Sequence, residues 1–388
     1  MLPIVVIQYK PLEYLPPVMA LLQTLKAIGR KVIYIGVEST CGKEFLEKTG
    51  IDGRFLPDFN HDFYSSHGLV SKITNRIGRA LAFYPHRRWL RRELIDIEKE
   101  EGELIIWHSE IASAAWLGNW GLRFKYRLLT IYELADFRGA SWLGFKLRSC
   151  LKRARSVVPE YNRACILKEH FLLGKLPFVV PNKPFEHPRE RNLPLPNGTV
   201  AEEVFKEIGD RPIFLYQGVW NEDRSDVARV LEVIARNRPG YCIVSMPSSP
   251  AVEKLSKRYS NVFGLPYVAP PGHLAITSRA TVGIAIYNAA GKGLLQRLGA
   301  VYCAPNKIYE YAGFGVPTLG NDLPGLRFTV EQAGAGLCCR LDEKSILDAA
   351  DELVVNKERY RLTAERFFDG VDLKKIITDI LEQTENRK

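Results

Sequence analysis

The sequence predicts an α/β protein of two similarly sized domains, each built on a parallel sheet, and three observations carry that prediction. Short β-rich runs alternate with amphipathic stretches along the whole chain. A stretch from Asn182 to Asn197, crowded with Pro, Arg, Glu and Asn and poor in periodic apolar signal, interrupts that alternation near the middle. The 388 residues, 46% hydrophobic and 25% charged, are too apolar for a disordered chain and long enough for two cores without disulfide or metal staples.

Pro3–Tyr9 (PIVVIQY) reads as the first strand. Pro16–Ile28 reads as a helix, because Val18, Leu21, Leu22 and Leu25 fall at spacings of three and four. Lys31–Val37 is the next strand, and Leu104–His108, Leu128–Tyr132 and Ser156–Pro159 follow at intervals that allow helical crossovers. Phe178–Val180 closes this half at Pro181-Asn182-Lys183-Pro184. A second series then begins with a strand at Pro212–Tyr216, a helix at Asp226–Arg236 and a strand at Tyr241–Ser245. Val262–Phe263, Val282–Ile286, Pro317–Leu319 and Gly336–Cys339 continue it, and helices at Glu343–Val354 and Leu373–Glu382 end the chain. The expected division is 1–185 and 186–370, with 371–388 a C-terminal helix able to cross back to the first domain. Two such domains leave a cleft, and ligands of open parallel sheets bind at the carboxyl ends of the strands.

Composition narrows the classes. No apolar run reaches the roughly 18 to 20 residues needed to span a bilayer. Met1-Leu2-Pro3 leads directly into a strand without the basic-then-apolar layout of a secretion signal, so a cytoplasmic protein is expected. Cys41, Cys150, Cys165, Cys242, Cys303, Cys338 and Cys339 form no C-x-x-C pair and no ligand cluster, and read as reduced thiols filling apolar space.

The net charge of +10 is unevenly placed. Residues 1–185 hold 28 Lys/Arg against 18 Asp/Glu, whereas residues 186–388 hold 26 of each. Phe63 to Arg92 contains no acid but carries Lys72, Arg76, Arg79, Arg87, Arg88, Arg91 and Arg92, with Phe83, Tyr84 and Trp89 among them. Leu69, Val70, Ile73, Ile77 and Leu81 recur at helical spacing beside those bases. Arg87, Arg88, Trp89, Arg91 and Arg92 are therefore candidates for contact with an anionic membrane surface or a lipid phosphate. A solvated helix face packed on its own domain fits the same residues. Nucleic acid fits least, because no recognisable binding motif accompanies the charge.

The most informative stretch is Ala304–Gly320, APNKIYEYAGFGVPTLG. Helical spacing from Asn306 puts Lys307, Glu310 and Tyr311 on one side of a short helix closed by Gly313–Gly315. Lys307 in the first turn suits an anion, and Glu310 one turn on suits the paired hydroxyls of a ribose. An amphipathic helix with an ordinary i, i+3 Lys–Glu pair reads equally well from the residues alone.

This segment resembles the donor-site motif of GT-B glycosyltransferases, particularly the family-4-like enzymes of bacterial surface-polysaccharide clusters, which carry a PNK-x-x-EY-x-x-x-G-x-P stretch. Further segments match in the same order. Val179–Pro184 is similar to the end of that family's N-terminal domain. Tyr216-Gln217-Gly218 followed by Arg224 resembles its first C-domain strand and basic loop, Asn261–Val268 the turn near the nucleotide base, and Gly334–Gly336 its late Gly pair. The resemblance implies two Rossmann-like domains facing a cleft. Gly218 would let backbone approach a diphosphate, Arg224 and Lys307 would neutralise it, Asn306 would offer main-chain N–H groups, and Glu310 would hold the ribose. It also implies retention of anomeric configuration with no metal and no cofactor. The chain departs from the pattern at Tyr302, where many relatives place a glutamate that contacts the donor sugar.

In the first half His108 ends a strand in WHSE, and Glu133 and Asp136 follow another in YELADF, so these are the candidate reaction-centre groups. A packed histidine and a helix-capping Asp136 are the alternatives. The expected activity is transfer of a sugar, most simply from a UDP-sugar, to a lipid-linked (polyprenyl-diphosphate) saccharide for capsule or O-antigen, at the inner face of the cell membrane. A sugar-nucleotide epimerase on the same fold and a non-catalytic subunit binding a glycan or another transferase are the competing readings.

Overall fold

A computed structural model describes the chain apart from residues 57–68, 135–140, 143–144, 196–197, 219, 221–224, 289–292 and 387–388, and describes the backbone alone at 69–83, 141–142, 145–146 and 225. Asp136, Arg224 and the side chains of Lys72, Arg76 and Arg79 lie outside the described residues. The chain divides into two compact units, Met1–Val180 with Leu373–Lys388, and Pro181–Asp372.

The first unit carries β1 (Ile4–Ile7), β2 (Val32–Val37), β3 (Asp52–Leu56), β4 (Ile105–His108) and β5 (Tyr126–Thr130). A short antiparallel pair follows, β6 (Ser141–Trp142) with β7 (Phe145–Lys146), and then β8 (Arg155–Val158) and β9 (Phe178–Val179). Seven of these described strands form one parallel sheet in the order β3-β2-β1-β4-β5-β8-β9. Helices cover both faces of such a sheet, which is why β1 (IVVI) and β2 (VIYIGV) are apolar runs buried throughout. One face packs Val6, Tyr34 and Trp107 against Leu22 and Leu25 of the helix Pro16–Ala27, and against Ile377 and Ile380 of the last helix, Leu373–Glu385. The other packs Val5, Ile7 and Ile35 against Leu90, Leu94 and Ile97 of the 33-residue helix Leu69–Glu101. The final helix is tied to this unit by Glu385, which accepts from the Leu2 amide at 3.1 Å and pairs with the buried Arg30.

The second unit carries β10 (Ile213–Gln217), β11 (Cys242–Met246), β12 (Val262–Gly264), β13 (Val282–Ala285), β14 (Thr318–Asn321) and β15 (Gly336–Cys339), parallel and ordered β12-β11-β10-β13-β14-β15. In each sheet the chain builds outward in one direction and then restarts beside its first strand. The order therefore reverses between β1 and β4 and again between β10 and β13, the points where open α/β sheets receive ligands.

Among the features that the sequence pattern does not show, three have a plain physical reason. β3 (DGRFL) lies at the sheet edge and is only half-buried, so it has no apolar run to announce it. β5 begins two residues earlier than expected because Arg127 lies inside it. That guanidinium is buried and donates to the Leu122, Phe124 and Arg153 carbonyls, which satisfies a charge that looks wrong in a strand. The helix Lys357–Asp369 buries only Tyr360, Ala364 and Phe368, a stripe four residues apart in an otherwise charged segment.

Candidate functional site

The carboxyl end of β10 lies at the switch point of the second sheet, and the helix Lys307–Gly313 presents three side chains to it. Tyr311 is buried, its ring lying on Gly283 of β13, where any Cβ would come within 2.2 Å. Its hydroxyl donates toward the Leu215 carbonyl at 3.1 Å and accepts from the Gln217 amide at 3.4 Å, which locks the helix to the strand end. One residue back, Glu310 Oε2 accepts from Gln217 Nε2 and lies 3.5 Å from His273 Nε2. Thr277 Oγ1 donates to Gln217 Oε1 at 2.7 Å, which sets the amide so that its NH2 faces the carboxylate. Both contacts fall on Oε2, so among the described residues Oε1 is the oxygen of Glu310 open to accept from a ligand.

Lys307, a turn before, extends its ammonium over the Tyr216 ring at 4.5 Å and faces Tyr287 at 5.8 Å. Such cation–π placement contributes about 0.5–2 kcal/mol and fixes a long flexible side chain. Tyr287 is itself fixed by Asn321, which accepts from its amide at 3.0 Å and donates to its carbonyl at 2.8 Å. Gly218 follows directly on β10 with φ +151°, and a Cβ there would meet Lys307 Nζ at 2.8 Å. The absent side chain at Gly218 therefore makes room for the lysine. Asn306 precedes the helix, half-buried, without a side-chain capping bond. Lys307, Glu310 and Gly218 thus converge on one strand end. Gln217, Thr277, His273 and Tyr287 join them, and no periodicity in the sequence marks that second group. Tyr302 ends the helix Leu294–Val301 and is half-buried.

In the first unit His108 closes β4 beside Ile7 and Leu129. It is buried, and burial with the nearby Arg127 charge pushes it down to about 3, so it is neutral at physiological pH. Its Nδ1 has no hydrogen-bond partner among the described residues. Glu133 is exposed and lies 3.6 Å from Arg163. Between them in the chain, Glu110 is a buried carboxylate that accepts from the Tyr9 amide at 3.1 Å and pairs with Lys10 at 3.1 Å. It stands at the switch point of the first sheet and carries no sequence signal beyond its place in WHSE.

The structure divides the basic set. Arg87 donates to the Trp116 and Ala115 carbonyls, both at 3.0 Å. Trp89 stacks on Trp116 with ring centres 6.3 Å apart, and Arg91 lies 5.6 Å from the Trp120 ring. Arg88 and Arg92 are exposed one turn apart, in line with exposed Tyr84. Among the described residues no helix is long and apolar enough to cross a membrane, and no three His, Cys, Asp or Glu side chains gather as metal ligands.

No protein-family model matches the sequence, and no curated protein matches it. Solved structures do match. A glycosyltransferase from Rickettsia africae shares 14% identity over 99% of this chain and 98% of its own, with a TM-score of 0.62. HepE from Anabaena, solved with UDP and glucose, shares 10% over the whole of both chains at 0.64. A putative UDP-N-acetylglucosamine 2-epimerase from Listeria monocytogenes shares 13% over 100% of this chain and 97% of its own at 0.53. At such identities the likeness is one of fold, and the fold is that of the GT-B glycosyltransferases.

Proposed function

We propose that the chain is a glycosyltransferase using a nucleotide-sugar donor, a UDP-sugar in the simplest case, bound at the carboxyl end of β10. The observation that carries the reading is the convergence there of a cation held on two aromatic rings with a carboxylate held by a fixed amide. A nucleoside diphosphate needs both: positive charge at the diphosphate and an acceptor for the ribose hydroxyls. Lys307 would neutralise the charge that grows on the leaving diphosphate as the glycosidic bond breaks, a role worth most where the cation is already oriented. Glu310 Oε1 would accept from the ribose. The structural likeness to HepE, which was solved with UDP and glucose, supports the choice of base.

The finer reading is that the acceptor is a lipid-linked phosphorylated saccharide of a surface polymer, elongated with retention and without metal. The acceptor reading is supported by the net charge of +10 in the first half of the chain against zero in the second, and by exposed Arg88 and Arg92 beside Tyr84 as a face for anionic lipid; retention and independence of metal are what the family resemblance implies. A second reading, sugar-nucleotide epimerisation, is favoured by the likeness to the Listeria protein.

Incubation with a panel of UDP-, GDP- and ADP-sugars, followed by proton NMR, tests the function. Release of nucleoside diphosphate that rises when a lipid-linked acceptor is added supports transfer. Conversion of a UDP-sugar to its epimer supports the second reading, and an unchanged panel with every acceptor tried would defeat both.

A further inference from the structure

The Pro-rich stretch between the two halves is not a bare tether, because residues 182–191 are bonded along the helix that carries Lys307 and Glu310. Asn182 Nδ2 donates to the Ala304 carbonyl at 2.8 Å, on the segment leading into that helix. At the far end Arg189 donates to the Gly313 carbonyl at 3.0 Å, and Arg191 to the Phe314 carbonyl at 3.3 Å and the Ala280 carbonyl at 2.6 Å. Between these points the His187 ring lies on Gly313, where a Cβ would come within 2.4 Å of Nδ1. The ring packs on Phe314 at 4.4 Å and Phe368 at 5.4 Å. Phe368 in turn receives the Lys183 ammonium at 4.1 Å and the Arg189 guanidinium at 4.5 Å.

The helix needs such support. It has seven residues and no side-chain N-cap, and helices of that length do not persist on their own. The carbonyls at its C-terminal end lack partners within the helix and carry partial negative charge, which is what the two arginines meet. Tyr311 anchors the middle of the helix to β10, which leaves slide and rotation about that anchor to be fixed by other contacts. Lys307 and Glu310 lie three residues apart on it, so one small rotation displaces both.

We propose that residues 182–191 form a positioning strap for this helix, with Asn182, His187, Arg189 and Arg191 setting the place of Lys307 and Glu310 without touching the ligand. The proposal rests on the nucleotide-site reading above. Its consequence is that strap variants lose nucleotide affinity while the fold survives.

The test is calorimetric titration of the full chain with UDP, well below the melting temperature, for Arg189→Ala, for Arg189→Ala with Arg191→Ala, and for the lysine replacements at both positions. Arg238→Ala is the control, because it breaks an ion pair with Asp351 that touches neither strap nor helix. The expected result is a loss of roughly tenfold in UDP affinity for the alanine variants, on the scale of one charge-assisted hydrogen bond, recovered in large part by lysine. Arg238→Ala should lower the melting temperature and leave affinity unchanged. Wild-type affinity in folded alanine variants overturns the strap. If the double variant does not fold, Arg189→Ala and the lysine pair decide by the same criterion. A wild-type chain that binds no nucleotide defeats the site reading itself, and the strap with it.

Discussion

Gly218→Ala probes the site most sharply, because the structure gives the residue two separate jobs. Its φ of +151° is a conformation that side-chain-bearing residues rarely adopt, and forcing alanine into it costs on the order of 1–3 kcal/mol of stability. The new Cβ would also meet Lys307 Nζ at 2.8 Å, closer than real Cβ contacts. Lysine is flexible, so the ammonium moves aside and leaves its seat over Tyr216, losing about 0.5–2 kcal/mol of cation–π attraction. A displaced Lys307 no longer meets a diphosphate, and a lost charge-assisted bond of about 1.5–3 kcal/mol weakens UDP roughly ten- to a hundredfold. A double-mutant cycle with Lys307→Ala separates the two jobs. With the lysine gone, Gly218→Ala should retain its backbone cost in thermal melts and cost nothing further in UDP affinity measured by calorimetry. Equal losses of affinity with and without Lys307 would refute the reasoning. They would mean that the backbone at Gly218 meets the diphosphate directly, as the family resemblance alone implies.

Other consequences follow from the same contacts. Arg87→Ala should destabilise the chain by about 2–3 kcal/mol in denaturant melts, since it strips two partners from half-buried carbonyls, and a change below about 0.5 kcal/mol would show the contacts to be idle. Arg88→Gln with Arg92→Gln should leave stability unchanged and reduce sedimentation with anionic vesicles; undiminished sedimentation removes those residues from the membrane reading. His108 titrates near 3 in the folded chain against an ordinary 6.5, so the unfolded chain binds more protons and stability falls as pH drops below 6.5. By pH 5 that loss is about 2 kcal/mol, and His108→Gln should flatten the pH 5–7 dependence of the unfolding free energy in urea melts by that amount, whereas an unaltered slope would place the titration elsewhere. Glu385→Gln should cost about 3 kcal/mol or more by leaving the buried Arg30 without its counter-charge, read as a lower urea midpoint, and a midpoint equal to wild type would mean that the last helix is held by its apolar face alone.

Most of the architecture is legible in the sequence because buried parallel strands are apolar runs, and β1, β2, β10 and β11 announce themselves in that way. What hides is whatever the pattern cannot price. β3 is an edge strand with little to bury, Arg127 disguises β5, and the 182–197 stretch reads as a linker although Leu193 and Leu195 pack on the second core and its arginines find carbonyls. Spacing in PNKIYEY places Lys307, Glu310 and Tyr311 on one side, and all three do face β10. Their partners come from three other segments, Gln217 from β10, His273 and Thr277 from one short helix and Tyr287 from the end of β13, and meet only when the sheet forms. The basic helix shows the converse limit. Charge counting cannot tell Arg87, spent on two carbonyls, from the exposed Arg88 beside it.

Calorimetric titration of the purified chain with UDP, GDP and ADP, with and without Mg²⁺, tests the central claim most directly. Micromolar binding of one nucleotide is expected, weakened by about 1–3 kcal/mol in Glu310→Ala through loss of the ribose contact. Binding of none of them, or wild-type affinity in Glu310→Ala, would contradict it.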